Sequence, residues 1–281
     1  MCLKRCWLKS FAFEKFDSGQ VLIQAEFVPL LQQHGLTTFD SWMNYQGGQA
    51  AKHLLRERRT TRIQLVAADN TQQVFYLKRH FPSSWREYVK PLLHGRWPLL
   101  GARNEWNALL HFHAAGVPTM TPVALGQSGR LSFLVTAGLE DCRKLSAWMS
   151  ELPAEPDARD PRQVRRMIVD VAHLTRHMHR SGLHHQDYYL GHLLQPLHSP
   201  NSDIHVIDLG RAQLRRPLSS RWIIKDLGQL LYSANRLTLR DALRFLRHYL
   251  GRRLTHTDRP FLRRIALKHS HISRHTKKHA L

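Results

Sequence analysis

Four separated residues have types and contexts that chemistry can use: Lys78 closing QVFYLKR, Glu105 early in GARNEWNALL, Asp187 in HQDYYLGH and Asp208 in IDLG. A lysine at a strand end can reach the α and β phosphates of ATP, and a carboxylate on the following helix can fix it there through an ion pair. Taken singly, Lys78 also reads as an exposed strand-end lysine, and Glu105 as a complement to its helix dipole. Asp187 lies in the stretch from His185 to His192, which fits H-x-D-x-x-x-x-N with histidine in the last position. There it can accept or orient the proton of an acceptor hydroxyl, with His185 packed beneath it to hold the loop. Asp208 ends a strand in a D-[FL]-G motif, where it can bind the Mg2+ that bridges the phosphates while Gly210 lets the chain turn away. The two aspartates stand 21 residues apart, room for one short hairpin that brings both carboxylates together.

Elements must position these groups. TRIQLVAA and QVFYLKR flank Asp69 to Gln72 and predict a hairpin from Thr61 to Arg79. A helix is expected from Ala102 to Ala115, stopped by Gly116 and Pro118, and then two strands, TPVALG and LSFLVT. Gln20 to Leu31 reads as a further strand. SELPAEPDARDP, from Ser150 to Pro161, reads as a surface loop. After it Val164, Met167, Ile168, Val171, Leu174, Thr175 and Met178 follow a helical period up to Gly182. HLLQPL and IHVIDLG predict a second hairpin, and two helices are expected over Trp222 to Ala234 and Leu239 to Leu250. Gly47 and Gly48 precede the first clear strand and could cover a nucleotide, or form a plain surface turn. No G-x-G-x-x-G and no Walker A sequence is present, which disfavours a P-loop fold.

The chain of 281 residues can bury a full core, with 42% hydrophobic residues, and has no apolar run long enough to span a bilayer. Cys2, Cys6 and Cys142 are an odd number without a second C-x-x-C pair, which argues against a disulfide framework or a zinc site. The start lacks a secretory leader, which places the chain in the cytoplasm. Formal charge is +21, and from Arg211 to Leu281 there are 18 Lys/Arg against 3 Asp/Glu. Such a surface suits nucleic acid, anionic lipid headgroups or a phosphorylated glycolipid, or is a solvated basic face. The tail from Arg252 onward is so basic that a helix there is expected only with an anionic partner.

From about Gly95 to Gly251 the chain resembles the lipopolysaccharide kinase family, which includes inner-core heptose kinases and Kdo kinases. The residues that carry the resemblance are GRWPLLGARNEW, MHRSGLHHQDYYLGHLL, HVIDLGRAQLR and RWIIKDLGQLLYS. The resemblance implies an α+β, bilobal, protein-kinase-like fold, with a strand-rich N-lobe over 1–138 and a mainly helical C-lobe over 139–281. By it Lys78 and Glu105 serve the nucleotide, Asp187 is the catalytic aspartate and Asp208 the metal ligand. Asp226 looks like the helix aspartate that braces the catalytic loop. His192 stands in the slot of an asparagine that would bind a second metal, and so joins Asp208 as a candidate ligand. Gln186 replaces the arginine of many protein kinases, and only 17 residues separate Asp208 from Asp226. An always-on kinase for a small acceptor follows more naturally from this than a regulated protein kinase.

The resemblance further implies ATP and Mg2+ as cofactors, and a heptose, with Kdo as the second choice, as the phosphorylated sugar of the lipopolysaccharide core. It implies a cytoplasmic enzyme peripheral on the inner face of the inner membrane. Its partners would be the core glycolipid and the anionic inner-leaflet surface, with no specific nucleic acid, and Arg263, Arg264 and Lys268 would be cations for that glycolipid. Two other readings stay open: a protein kinase of the same fold, and a non-catalytic kinase-like binder of anionic partners.

Overall fold

The computed structural model describes residues 11–55, 58–81, 101–197 and 203–279. Cys2, Cys6 and the GRWPLL part of the family-like stretch lie outside the described residues. The chain divides into two compact units, Met1–Ala114 with Met120–Glu140, and Ala115–Thr119 with Asp141–Leu281.

The first unit is built on a seven-stranded antiparallel sheet. In chain order its elements are β1 (Phe13–Phe16), β2 (Val21–Gln24), α1 (Val28–Gln33), α2 (Phe39–Met43), β3 (Gln49–Leu55), β4 (Arg58–Val66), β5 (Gln72–His80), α3 (Arg103–Ala114), β6 (Pro122–Ser128) and β7 (Leu131–Ala137). The strand order is β1-β2-β6-β7-β5-β4-β3. The hairpin expected between Thr61 and Arg79 is β4 and β5, in register from Arg58 opposite His80 to Val66 opposite Gln72. Its turn is held by Asp69, whose carboxylate accepts the Thr71 backbone N–H at 2.9 Å while Asn70 takes φ +63°.

The strand expected from Gln20 to Leu31 ends at Gln24. Beyond it Val28–Gln33 is helical, with proline in the first turn, where its fixed φ suits a helix and its missing N–H costs nothing. α2, which no period in the sequence marked, is capped by Thr38 and buries Trp42 completely. Trp42 and Phe39 pack on Phe133 from β7, beside Ile63, Phe75 and Leu77 from the hairpin. Arg79 is buried on the same side, and its guanidinium donates to the Met43 and Tyr45 carbonyls at 3.0 and 2.6 Å, closing the C-terminal end of α2.

The second unit is mainly helical. It comprises β8 (Cys142–Lys144), α4 (Leu145–Glu151), α5 (Pro161–Arg180), β9 (Leu183–His184), β10 (Leu193–Pro196), β11 (His205–Val206), β12 (Gln213–Leu214), α6 (Ser220–Ser233), α7 (Leu239–Leu250) and α8 (Arg259–His279). α5 starts on an Asp160 cap with Pro161 in its first turn and buries Val164, Met167, Ile168, Val171 and Met178, the face its period predicts. β10 and β11 form the second expected hairpin, Leu193 opposite Val206, with β8 on the outer side of β10. β12 pairs with β9, Gln213 opposite His184.

The expectation that the basic tail needs an anion to become helical is overturned. α8 buries Ile265 and packs Phe261 against the cluster of Ile224, Leu227 and Tyr249, so its own apolar face holds it. Its start is pinned by Arg252, which grips Asp258 through two bonds of 2.8 and 2.6 Å. Contact with α6 is closest at Gly228, where a Cβ would come within 2.6 Å of Lys268 Cγ. Lys268, expected as a cation for the glycolipid, lays its stem on a neighbouring helix. Among the described residues no helix is long and apolar enough to cross a membrane.

Candidate active site

Alternation along β5 turns Phe75, Leu77 and Arg79 into the core and leaves Lys78 on the opposite face. α3 enters after Gly101, at φ +72°, and the Ala102 N–H is held by Ser132 Oγ at 3.0 Å. This sets Glu105, in the first turn and 1% exposed, with Oε1 at 2.5 Å from Lys78 Nζ. Its other oxygen, Oε2, is buried without a hydrogen-bond partner among the described residues. The pair holds the lysine head in one place at the edge of solvent.

Gly47 and Gly48 sit before β3. A Cβ at Gly48, whose φ is +141°, would lie 2.6 Å from the Arg62 carbonyl, and one at Gly47 would lie 2.7 Å from the Tyr45 hydroxyl. The sheet's own close approach is thus sufficient reason for glycine at Gly48, whereas a Cβ at Gly47 would meet only the tip of the Tyr45 side chain.

In the second unit the segments around Asp187 and Asp208 are tied together through two stacked histidines, His185 and His192, with ring centroids 5.6 Å apart and an 18° interplanar angle. His185 is fully buried. Its Nδ1 accepts the Asp187 N–H at 3.2 Å, so its Nε2 carries the hydrogen and donates to the Ile207 carbonyl at 2.9 Å. Burial lowers its pKa, in keeping with a neutral ring that accepts on one side. His192 Nδ1 donates to the Asp187 carbonyl at 2.7 Å, and its Nε2 lies 3.7 Å from Asp208 Oδ2. The Asp187 carboxylate meets a cation as well, Arg211 Nη1 at 3.4 Å.

Two residues of this site have positive φ without being glycine, Gln186 at +70° and Asp208 at +59°. The turn expected at Gly210 is made at Asp208, and Leu209–Arg211 follows as a single 3-10 turn. Strain of this kind needs support from its surroundings, and for Gln186 that support is α6. Asp226, fully buried, accepts the backbone N–H groups of His185 and Gln186, each at 2.8 Å, with His179 Nε2 at 3.3 Å. Burial pushes the Asp226 pKa up, but the bonds from His179 and the His185 N–H outweigh it, and the net shift is downward. One turn on, Gln229 accepts the Tyr188 N–H at 3.0 Å and donates to the Gln186 carbonyl at 2.9 Å, and Ser233 Oγ accepts the Leu190 N–H at 3.0 Å. The Gln186 side chain spans to the Arg211 carbonyl at 2.8 Å.

Arg211, Gln229 and Ser233 were missed from sequence, and Gln186, noted there as the replacement of an arginine, was given no role. For Gln229 and Ser233 a signal exists: with Asp226 they recur at helical spacing as polar residues in an otherwise apolar segment.

The profile of the Lipopolysaccharide kinase (Kdo/WaaP) family matches residues 46–249. The lipopolysaccharide core heptose(I) kinase WaaP of Pseudomonas aeruginosa PAO1 is 38% identical over 211 residues, 71% of this chain and 76% of that protein. The protein of the same name in Escherichia coli K12 is 34% identical over 243 residues, 81% of this chain and 88% of that protein. A solved structure of WaaP in complex with acyl carrier protein matches with a TM-score of 0.66 at 33% identity, covering 89% of this chain and 96% of that chain. This likeness bears out the expected α+β, protein-kinase-like fold, strand-rich in its N-terminal part and helical in its C-terminal part. With the family profile spanning most of its length, and both aspartate motifs inside the matched stretch, the chain belongs to the lipopolysaccharide kinase (Kdo/WaaP) family.

Proposed function

We propose that this chain transfers the γ-phosphoryl group of ATP to a heptose hydroxyl of the lipopolysaccharide inner core. The observation that carries the reading is the tethering of Asp187 and Asp208 through His192, in a chain 34 to 38% identical to heptose(I) kinases. In this reading Asp187 receives or orients the proton of the attacking hydroxyl, and Lys78, held by Glu105, reaches the α and β phosphates. His185 and Asp226 position Asp187 through its own peptide and the two before it.

Mg2+ favours one or two carboxylates together with phosphate oxygens and waters. Asp208, 46% exposed, fits that demand as a ligand open to the nucleotide. An imidazole nitrogen suits this hard cation poorly, so we assign His192 the task of orienting Asp208 rather than of binding metal. When bound, Mg2+ shields the charge of the phosphates. The protein's share is positioning and exclusion of wasted orientations, which accounts for most of the acceleration in transfers of this kind. The acceptor is expected at the membrane surface, with the exposed Arg263 and Arg264 among the cations that meet its anionic groups.

Mass spectrometry of core oligosaccharide from cells with and without this protein tests the proposal. A phosphate lost from heptose in its absence is the expected outcome. An unchanged core, alongside transfer of labelled phosphate to protein, would instead make it a protein kinase.

A further inference from the structure

We infer that the second unit carries an anion-binding subsite, formed by Arg215, Arg221, Lys225 and Arg264 around Trp222, which takes a phosphate or carboxylate group borne by the acceptor. The inference rests on the proposed function for the identity of the acceptor, and on geometry alone for the site.

The platform begins with His184, the last residue before the loop of Asp187. Its ring is fully buried, neither nitrogen has a hydrogen-bond partner among the described residues, and it stacks on Trp222 with centroids 4.6 Å apart at 22°. Gly182 brings the next piece into place. At φ +82°, and with room for no Cβ because the Arg215 carbonyl would be 2.6 Å away, it lets the end of β12 lie against β9. The Arg215 N–H then donates to the Gly182 carbonyl at 2.8 Å, and its guanidinium carbon stands 5.2 Å from the indole centroid. Arg221 and Lys225, from the first turns of α6, stand 5.0 and 5.8 Å from the same ring. Arg264 reaches across from α8 to donate to Ser220 Oγ at 3.4 Å.

These cations gather where positive charge is least welcome. α6 has no acidic residue in its first turn and no side-chain cap from Ser219, so the positive end of its dipole adds to theirs. The indole face attracts each cation but neutralises none of them. Where arginines of this chain come close to an acid they pair with it, as Arg252 with Asp258 and Arg244 with Asp241, but 42 Lys/Arg share only 21 Asp/Glu. Among the described residues Arg215 and Arg221 make no ion pair, and the carboxylate of Asp226 on the buried side of α6 is already taken by two backbone N–H groups. An anion is what Arg215 and Arg221 lack among the described residues.

Position connects the cluster to transfer. Lys225 also donates to Gln186 Oε1 at 3.5 Å, next to Asp187, and Arg211 lies against Asp187 itself. The cluster thus touches the residue that precedes Asp187 through Lys225, and the residue three before it through the stack of Trp222 on His184.

The test compares the wild type with an Arg215→Ala/Arg221→Ala variant on two soluble acceptors: deacylated core oligosaccharide carrying its acidic groups, and an uncharged heptose glycoside. The KM preference for the charged acceptor should fall by about tenfold or more, the change that loss of one good ionic contact produces. An Arg215→Lys/Arg221→Lys variant should recover part of it. An equal rise of KM on both acceptors, or no change on either, overturns the subsite. If neither acceptor is phosphorylated by the wild type, the proposed function fails and the subsite is read separately, by calorimetric titration of inorganic phosphate into ADP-loaded protein. Binding heat lost in the alanine variant upholds it, and equal heat in both proteins removes it. Reduced cosedimentation with phosphatidylglycerol vesicles at unchanged acceptor KM would assign the arginines to lipid headgroups and also overturn the inference.

Discussion

Asp187 is fixed through its backbone rather than its carboxylate. Its N–H goes to His185 and its carbonyl is held by His192, which leaves the acidic oxygens partly exposed beside Arg211. Replacing Asp187 with alanine, or Asp208 with asparagine, which suits the same positive φ, therefore removes chemistry without removing support. Each change should lower kcat by about a hundredfold or more, in the range set by loss of a positioned acid or base, while urea midpoints stay at the wild-type value. A near-normal rate in steady-state transfer assays would withdraw the role given to that residue. Both aspartates were legible in the sequence because their motifs are local, and Lys78 with Glu105 because a strand and a helix in known order predict such a pair. Arg211 was not legible: its side chain meets Asp187 after the left-handed turn at Asp208, and no spacing rule records that turn.

At the scale of elements, α6 acts as a rack for the loop from His185 to Leu190. Asp226, Gln229 and Ser233 lie along one face and take four of its backbone N–H groups. Asp226→Ala would leave two buried N–H groups without acceptors, at a cost of about 1–3 kcal/mol each. Urea unfolding of this variant should show a loss of about 2–5 kcal/mol, together with reduced kcat, and a loss below 1 kcal/mol would mean that water replaces the carboxylate. The helix itself was readable from its apolar period. For Asp226 the family resemblance named the loop it would brace, but what Gln229 and Ser233 meet was not readable, because a period reports which residues are turned inward and not which backbone lies there. The same gap explains α8: its charge was plain, whereas its grip on α6 depends on one glycine and a few apolar residues spread through a basic run.

For the whole molecule, acid should be the weak direction. His80 in the first unit and His184 in the second are buried, and burial, the leading cause, brings their pKa values down to about 3 and about 4. Unfolded, each would titrate near the ordinary value of about 6.5. Below that pH the unfolded chain binds protons that the folded chain refuses, so stability falls by about 1.4 kcal/mol per pH unit for each histidine. The decline should begin near pH 6.5 and lose the His184 share near pH 4, where its folded form also becomes protonated. Urea denaturation at pH 7 and pH 5 measures it, and equal stabilities would show that both rings are hydrated in the folded protein. Histidine content was visible in the sequence, but which rings are dry depends on packing that only the assembled units define.

The missing side chain at Gly228 makes one hydrogen atom answerable for the end of the chain. A methyl group there would collide with Lys268 and lever α8 away, unseating Ile265 and withdrawing Arg264 from Ser220. Gly228→Ala should accordingly make the last twenty or so residues an early target for trypsin while the remainder stays folded, and equal proteolysis of variant and wild type would mean that the lysine stem bends aside.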